Sequence, residues 1–322
     1  MTARRPALPD GVLVGHWTDR HAWTGCTVVL LPEGTVVGGE VRGGGPGTTG
    51  TDLLSPAASG PGANAILLTG GSAFGLAATA GVVRWLAERG IGYDTPAGKV
   101  PLVAAAVVYD LVLGDATRRP GADEGYAACQ AASATPERGS VGVGTGCTVG
   151  KLLWPPSWTK GGLGLASVDL PGGGVLAAVV AVNPVGDVLD EDGSVLAGSR
   201  RGDGFARSVA EVRAGGSLRR PWREATTLAC VLTDARMDKT GAWLVARAAN
   251  AGVARAVTPV WTPFDGDAVF CAATCRADVD PLVVSVLAAD VVADAIRDAV
   301  HEAEGAPGCP SASEWRQIAG LQ

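Results

Sequence analysis

The chain has 322 residues, 47% of them hydrophobic, with a formal net charge of −6 and a pI of about 5.1. That length suits one large α/β unit with a sizeable core, and the composition excludes a coiled coil, a disordered tail and a basic nucleic-acid surface. Seven Cys, an odd count with no CxxC, read as reduced and mostly buried thiols in a cytoplasmic protein. The start, MTARRPALPDG, has two Arg but no apolar stretch behind them, so no signal peptide is expected. No window reaches the ~18 apolar residues of a membrane span; the longest candidates are interrupted by Asp110, Asn183 or Asp290.

In chain order, residues 12–14 and 26–31 are apolar and β-rich, and 42–56 are too rich in Gly and Thr to be regular. Residues 65–68 form a strand, Thr69-Gly70-Gly71 a turn, and Ser72 is placed to cap a helix that runs to Gly90. The stretch 100–113 is apolar and expected to be buried, and 139–149 is a Gly-rich turn system. Residues 163–168 and 174–182 read as paired strands around a Gly172-Gly173 turn, continuing into Asn183-Pro184-Val185-Gly186-Asp187. From about 190 to 224 the chain turns polar, which predicts a long mobile loop with at most one short helix. An abrupt apolar strand opens at Thr226 and runs to 232. Then follow a helix over 239–253, a strand over 256–260, a tight turn over 261–267, an apolar stretch over 268–273 and a long helix over 281–303. No repeat and no domain break is evident, so 1–322 reads as a single domain.

Familiar catalytic motifs fail against these residues. His occurs only at His16, His21 and His301, which leaves no metal-binding His cluster. Gly70-Gly71-Ser72-Ala73-Phe74 has Phe where a nucleophile elbow needs Gly, and GTGCTVGKL lacks the first Gly and the Ser/Thr of a phosphate loop. With His scarce, an amide-cleaving enzyme needs another base, and an N-terminal Ser, Thr or Cys supplies one. Its own α-amine has an ordinary pKa of roughly 7.7–8 and is partly neutral at physiological pH. Such a residue must be uncovered by backbone cleavage between a flexible segment and a rigid strand. The polar segment ending at Thr226 has that pattern, although a Thr opening a strand is also ordinary β-propensity.

The stretches LPDGVLVGHWTD, RGGGPGTTGTDLL, ILLTGGSAFGLAATAGVVRWLAERGIGYDTPAGKVPLVAAAVVYDL, GVGTGCTVGKL, GGLGLASVDL, AVVAVNPVGDVLD, TTLACVLTDA and ARAVTPVWTPFDGDAVFCAAT follow one another across most of the chain. In that order they resemble the P1 peptidase family, the group of L-aminopeptidase/D-amidase/D-esterases, β-aminopeptidases and nylon-oligomer hydrolases. The resemblance implies an α/β fold, a four-layer α-β-β-α sandwich resembling N-terminal nucleophile hydrolases with distinct connectivity. It also implies self-cleavage into 1–225 and 226–322, a homo-oligomer that is commonly a tetramer, small peptide or amide substrates, and no metal or organic cofactor.

By the same resemblance Thr226 matches the family nucleophile, seven positions before Thr233 of the TDA motif. Asp265 and Asp267 match the polar pair that contacts its amine and hydroxyl; two such carboxylates can share a proton. Taken alone they read as an Asp-Gly turn with solvated carboxylates. Asn183 matches an Asn that holds the oxyanion or substrate, a role its side-chain NH2 suits, and alone it reads as a turn residue before Pro184. Tyr109 matches an aromatic position beside the site, either a second oxyanion donor or a cap on a core helix. Lys151 matches the Lys of the nylon-hydrolase branch and is one of only four Lys among 26 basic residues. One departure stands out: Ala225 precedes the nucleophile where many relatives have Asn or Gly. An Ala–Thr junction also occurs in ornithine acetyltransferases, so acyl transfer is the alternative to hydrolysis, and an unprocessed, inactive binding homologue is the third reading.

Overall fold

The computed structural model describes residues 6–60, 62–153, 157–215 and 224–320. In chain order the main strands are β1 (Leu13–Asp19), β2 (Thr24–Leu30), β3 (Val36–Val41), β4 (Thr48–Thr49), β5 (Ala65–Thr69), β6 (Val103–Val107), β7 (Gly162–Asp169), β8 (Val175–Asn183), β9 (Thr226–Ala235) and β10 (Ala268–Ala277). They form two five-stranded sheets, ordered β1-β2-β5-β6-β4 and β7-β8-β9-β10-β3. Neighbours are antiparallel except β5 with β6 and β9 with β10. The helices are α1 (Ala78–Ala87), α2 (Ala122–Gln130), α3 (Ser208–Arg213), α4 (Lys239–Ala256), α5 (Pro281–His301) and α6 (Ala312–Ala319).

Strand β9 shows why its sequence is apolar without alternation. Leu228, Cys230 and Leu232 enter the core between the sheets, where they meet Ile66, Leu68 and Phe270. Ala229 and Val231 point the other way, into the layer packed by α4 and α5. Strand β5 divides likewise, with Ala65 and Leu67 facing α1 and α2. Strands buried on both faces read as continuous hydrophobic runs. The result is four layers, α1/α2, first sheet, second sheet and α4/α5, as the family resemblance implies.

Small residues let those layers close. A Cβ on Gly164 of β7 would lie 1.8 Å from the Ala295 carbonyl oxygen of α5. One on Gly38 of β3 would lie 2.4 Å from the Trp243 nitrogen of α4. Helix starts follow local chemistry: Asp238 accepts the Gly241 N–H at 2.7 Å, and Asp280 with Pro281 opens α5.

Two local expectations are corrected. Ser72 caps nothing: it has φ +54 and begins a 3-10 turn, Ser72–Ala77, and α1 starts only at Ala78 with no side-chain cap. The polar segment is also more structured than a loop with one helix. Short strands Val195–Ala197, Arg200–Arg201 and Gly204–Phe205 precede α3. The first residue of α3, Ser208, donates its N–H and hydroxyl to the buried Asp187 carboxylate at 2.7 and 2.6 Å. Those bonds draw the segment back onto the sandwich. The stretch 216–223, which the same expectation covered, lies outside the described residues. All seven Cys are free and six are buried. Among the described residues no helix is long and apolar enough to cross a membrane.

Candidate active site

Asn183 closes β8 and Thr226 opens β9, and the antiparallel register of those strands pairs the two residues directly. The parallel neighbour β10 begins at Ala268, one residue after Asp267, so the tight turn over 261–267 ends at the same edge. From the first sheet, β6 ends at Val107 and leads straight into Val108, Tyr109 and Asp110. Four strand ends therefore converge at one end of the sandwich.

Thr226 is only 5% exposed. Its hydroxyl donates to the Ala225 carbonyl oxygen at 2.5 Å, and the Gly266 N–H donates to the same oxygen at 2.8 Å. The Ala225 N–H donates to the Phe264 carbonyl at 3.3 Å, so Ala225 is held in a short parallel bridge against the turn. The peptide bond between Ala225 and Thr226 is thus fixed on both sides, with a hydroxyl donor and a backbone N–H donor at its acyl oxygen.

Both turn carboxylates are buried, Asp265 at 1% and Asp267 at 3% exposure, which overturns the solvated-turn alternative. Asp267 accepts the Thr227 N–H at 2.5 Å, and Asp265 accepts the Thr262 N–H and hydroxyl at 2.8 and 2.6 Å. In the continuous chain, then, the Asp267 bond goes to the residue after Thr226 and these Asp265 bonds stay within its own turn; none of them goes to Thr226. Burial first, then the adjacent Asp265 charge, pushes the Asp267 carboxyl well above the ordinary carboxylate range.

Lys151 and Asn183 form the layer behind. The Lys151 ammonium donates to the Asn183 carbonyl at 2.6 Å, the Asn183 Oδ1 at 2.8 Å and the Thr148 carbonyl at 2.9 Å. The Thr148 N–H also donates to Asn183 Oδ1, at 2.9 Å, and Asn183 Nδ2 donates to the Tyr109 carbonyl at 3.2 Å. With Oδ1 claimed twice, the amide orientation is fixed and its NH2 is turned toward Tyr109. Burial pushes the Lys151 ammonium down to about 7, opposed by Cys147, Asp265 and the charges beyond them.

In front lies a cavity of about 300 Å³ lined by Thr226, Ala225, Glu224, Tyr109, Ser72, Val107, Pro46 and Phe264, among others. Of the six residues singled out from the sequence, Thr226 and Tyr109 line it, and Asn183, Lys151, Asp265 and Asp267 sit behind, all buried. Tyr109 is half-buried; desolvation and the nearby Glu224 and Asp110 charges raise its phenol above the usual range. Among the described residues no cluster of three His, Cys, Asp or Glu side chains could hold a metal ion.

Three participants were not anticipated. Gly266 acts through its backbone N–H, which every residue type except Pro has, so nothing in the sequence marks it. Lys160 is wholly buried and donates to the Gly144, Cys147 and Gly161 carbonyls at 2.8, 3.0 and 3.1 Å. Together with Lys151 it pins the Gly-rich turn system, and the scarcity of Lys was the available signal. Asp110 is buried beside Tyr109, but in the sequence it registers only as an interruption of an apolar run.

A family model described as Peptidase family S58 matches residues 10–311; the name differs from P1. An uncharacterised aminopeptidase of Mycobacterium leprae is 42% identical over 296 residues, 85% of this chain and 80% of that protein. A 6-aminohexanoate-oligomer endohydrolase of an Agromyces species is 30% identical over 283 residues, 84% of this chain and 74% of that protein. Among solved structures, a β-aminopeptidase of a Burkholderia species superposes with a TM-score of 0.72 at 21% identity, covering 99% of this chain and 95% of its own. The L-aminopeptidase D-Ala-esterase/amidase of Ochrobactrum anthropi, described as a variant of the Ntn hydrolase fold, gives 0.70 at 21% identity, covering 99% and 94%.

Proposed function

The chain belongs to peptidase family S58, and on that premise we propose that it is an amide hydrolase of the aminopeptidase type with Thr226 as its self-exposed N-terminal nucleophile. The observation that carries this reading is the Ala225–Thr226 junction. A buried Thr hydroxyl contacts the preceding carbonyl oxygen at 2.5 Å, and a backbone N–H holds that same oxygen at 2.8 Å.

In self-cleavage the Thr226 hydroxyl oxygen adds to the Ala225 carbonyl carbon, closing a five-membered ring. The Gly266 N–H stabilises the oxyanion. The C–N bond then breaks, the Thr226 nitrogen takes the hydroxyl proton, and an ester joins Ala225 to the Thr226 side chain. Water hydrolyses that ester, leaving an Ala225 carboxylate and a free Thr226 amine and hydroxyl. Asp267, whose carboxyl is held above the ordinary range and which accepts the N–H of Thr227, the residue after the nucleophile, is suited to move a proton in this step.

In hydrolysis the exposed α-amine takes the Thr226 proton as the hydroxyl attacks a substrate amide, and gives it to the departing amine. Asn183 Nδ2 and the Tyr109 phenol are the oxyanion donors, with Lys151 holding the Asn183 amide in orientation. Water then releases the acyl group as a free acid. Small aminoacyl amides and short peptides are the expected substrates, in a cavity that also admits the chain's own Ala225.

Intact-mass measurement over time tests this reading. Two fragments split between Ala225 and Thr226 are expected, absent in Thr226→Ala and partly retained in Thr226→Ser, whose hydroxyl survives. A single full-length species without amidase activity would sink it and favour an unprocessed binding protein. The Ala–Thr junction favours a second reading, acyl transfer; a product acyl group passed to an added amine in preference to water would support it.

A further inference from the structure

We propose that Asp110 is a positioning residue for hydrolysis, clamping the Gly70-Gly71-Ser72 turn so that Ser72 and Tyr109 form the cavity wall opposite Thr226. This rests on the hydrolase reading above and extends it to a residue that touches no reacting atom.

The segment after β6 ties the site together residue by residue. The Val108 carbonyl accepts the Ser72 N–H at 3.0 Å. The Tyr109 carbonyl accepts Asn183 Nδ2 at 3.2 Å. Asp110 Oδ1 accepts the Gly71 N–H at 2.7 Å, and its Oδ2 accepts the Thr24 hydroxyl at 2.6 Å. Three consecutive residues therefore hold Ser72, Asn183 and the Gly71 turn in one frame.

That frame holds a strained conformation. After Gly71 at φ +80, which glycine adopts freely, Ser72 has φ +54, a region that side-chain-bearing residues rarely adopt. Such strain persists only where the surroundings over-determine it, and it gathers at functional sites. Ser72 lines the same cavity as Thr226 and Tyr109.

The glycines left unexplained by motif reading fit around this carboxylate. A Cβ on Gly70 would lie 2.1 Å from Asp110 Oδ2, and one on Gly146 would lie 2.4 Å from Asp110 Cβ. Two Gly-rich motifs distant in sequence thus make room for one buried acid, which is 3% exposed. An acid this buried, with desolvation pushing its carboxyl up to about 6, has a large burial cost that an apolar residue would avoid. The two hydrogen bonds it accepts, from Gly71 and Thr24, offset that cost and are the bonds of a clamp.

Self-cleavage depends on the Ala225 carbonyl, the Gly266 N–H and Thr226, none of which Asp110 holds. Hydrolysis depends on the cavity wall. Removing Asp110 should therefore separate the two reactions, which a general loss of folding would not do.

The test compares wild type, Thr226→Ala, Asp110→Ala, Asp110→Asn and Thr24→Val. Fragment masses report processing, and a panel of aminoacyl p-nitroanilides, alanyl first, reports hydrolysis. Asp110→Ala should process like wild type while kcat/KM falls about tenfold or more, the consequence of one unsatisfied buried N–H at the wall. Asp110→Asn, which can still accept from Gly71, should stay within about threefold. If Asp110→Ala fails to give a cooperative melt, Thr24→Val carries the same comparison, with hydrolysis falling and processing intact. Wild-type kcat/KM in the Ala variant, parallel loss of processing and hydrolysis, or an Asn variant as poor as Ala overturns the Asp110 role alone. A wild type that turns over none of the panel overturns the hydrolase reading and this proposal with it.

Discussion

Gly266→Ala puts the proposed self-cleavage geometry under direct strain. Gly266 does not have a positive φ, so the backbone itself permits Ala. The added methyl would stand 2.9 Å from the Gly45 carbonyl oxygen and 3.0 Å from the Thr226 hydroxyl oxygen, inside the ordinary contact range of 3.4–4 Å. Gly45 is stitched to the turn by its N–H on the Asp265 carbonyl at 2.9 Å, so its backbone resists displacement. The Thr226 side chain is the softer neighbour, and turning it away breaks the 2.5 Å contact with Ala225. Misplacing a reacting atom on this scale costs ~10²-fold in rate, or ~3 kcal/mol of barrier. Overpacking destabilises by ~1–3 kcal/mol, and a stiffer unfolded chain offsets ~0.4–1 kcal/mol of that. The net is roughly 1 kcal/mol, which leaves the protein folded. Intact-mass time courses should show processing about a hundredfold slower, beside a denaturant midpoint only slightly lowered. A variant that processes at the wild-type rate would refute attack from this arrangement.

Lys151→Met should fold and still process, while kcat drops about tenfold or more because the Asn183 amide loses one of its two orienting donors. The Lys151 pKa is lower folded than unfolded, so the unfolded chain binds more protons between about 7 and about 10.4. Wild-type stability should rise with pH across that window, and the rise should shrink in the Met variant when urea midpoints are compared. Asp267 has the opposite sign. Its folded pKa lies above the unfolded value of about 3.9, so wild-type stability falls as pH rises from there through the raised pKa. Asp267→Asn keeps an acceptor for the Thr227 N–H but removes that loss, so its stability relative to wild type should improve from pH 5 to pH 8; a constant difference would count against the assignment. Leu228→Ala in the wholly buried core between the sheets should cost about 2–5 kcal/mol by chemical denaturation, without moving the cleavage position.

Much of the architecture was legible because patterning and turn chemistry are local. The run from Thr226 to Leu232, the Gly172-Gly173 turn and the Pro281 helix start all appear where residue types require them. Helix α2 was missed because its 9 residues have a weak apolar stripe, with only Gly125, Ala128 and Cys129 buried. Helix α6 was missed for a similar reason, since Ala312 is its one buried residue. Ser72 looked like a cap because Ser after Gly-Gly usually is one; long-range bonds from Val108 and Asp110 impose a different backbone. Asp265 and Asp267 looked like a solvated turn, since nothing within seven residues shows that β9 and the loop over 42–47 close over them.

By itself the sequence determined the β-rich apolar strands and the scarcity of His and, through the ordered family motifs, put forward Thr226 with its five companions as candidates. Those are properties of residue type and order, which survive without coordinates. Only the tertiary structure decided that Asn183 stands opposite Thr226 and that Gly266 holds the Ala225 carbonyl. It also decided that Asp110 ties Ser72 and Tyr109 into one wall. The physical reason is range. Strand register, backbone N–H direction and burial of a charge depend on partners far apart in sequence, 86 residues in the case of Thr24 and Asp110, and no local pattern encodes such a distance.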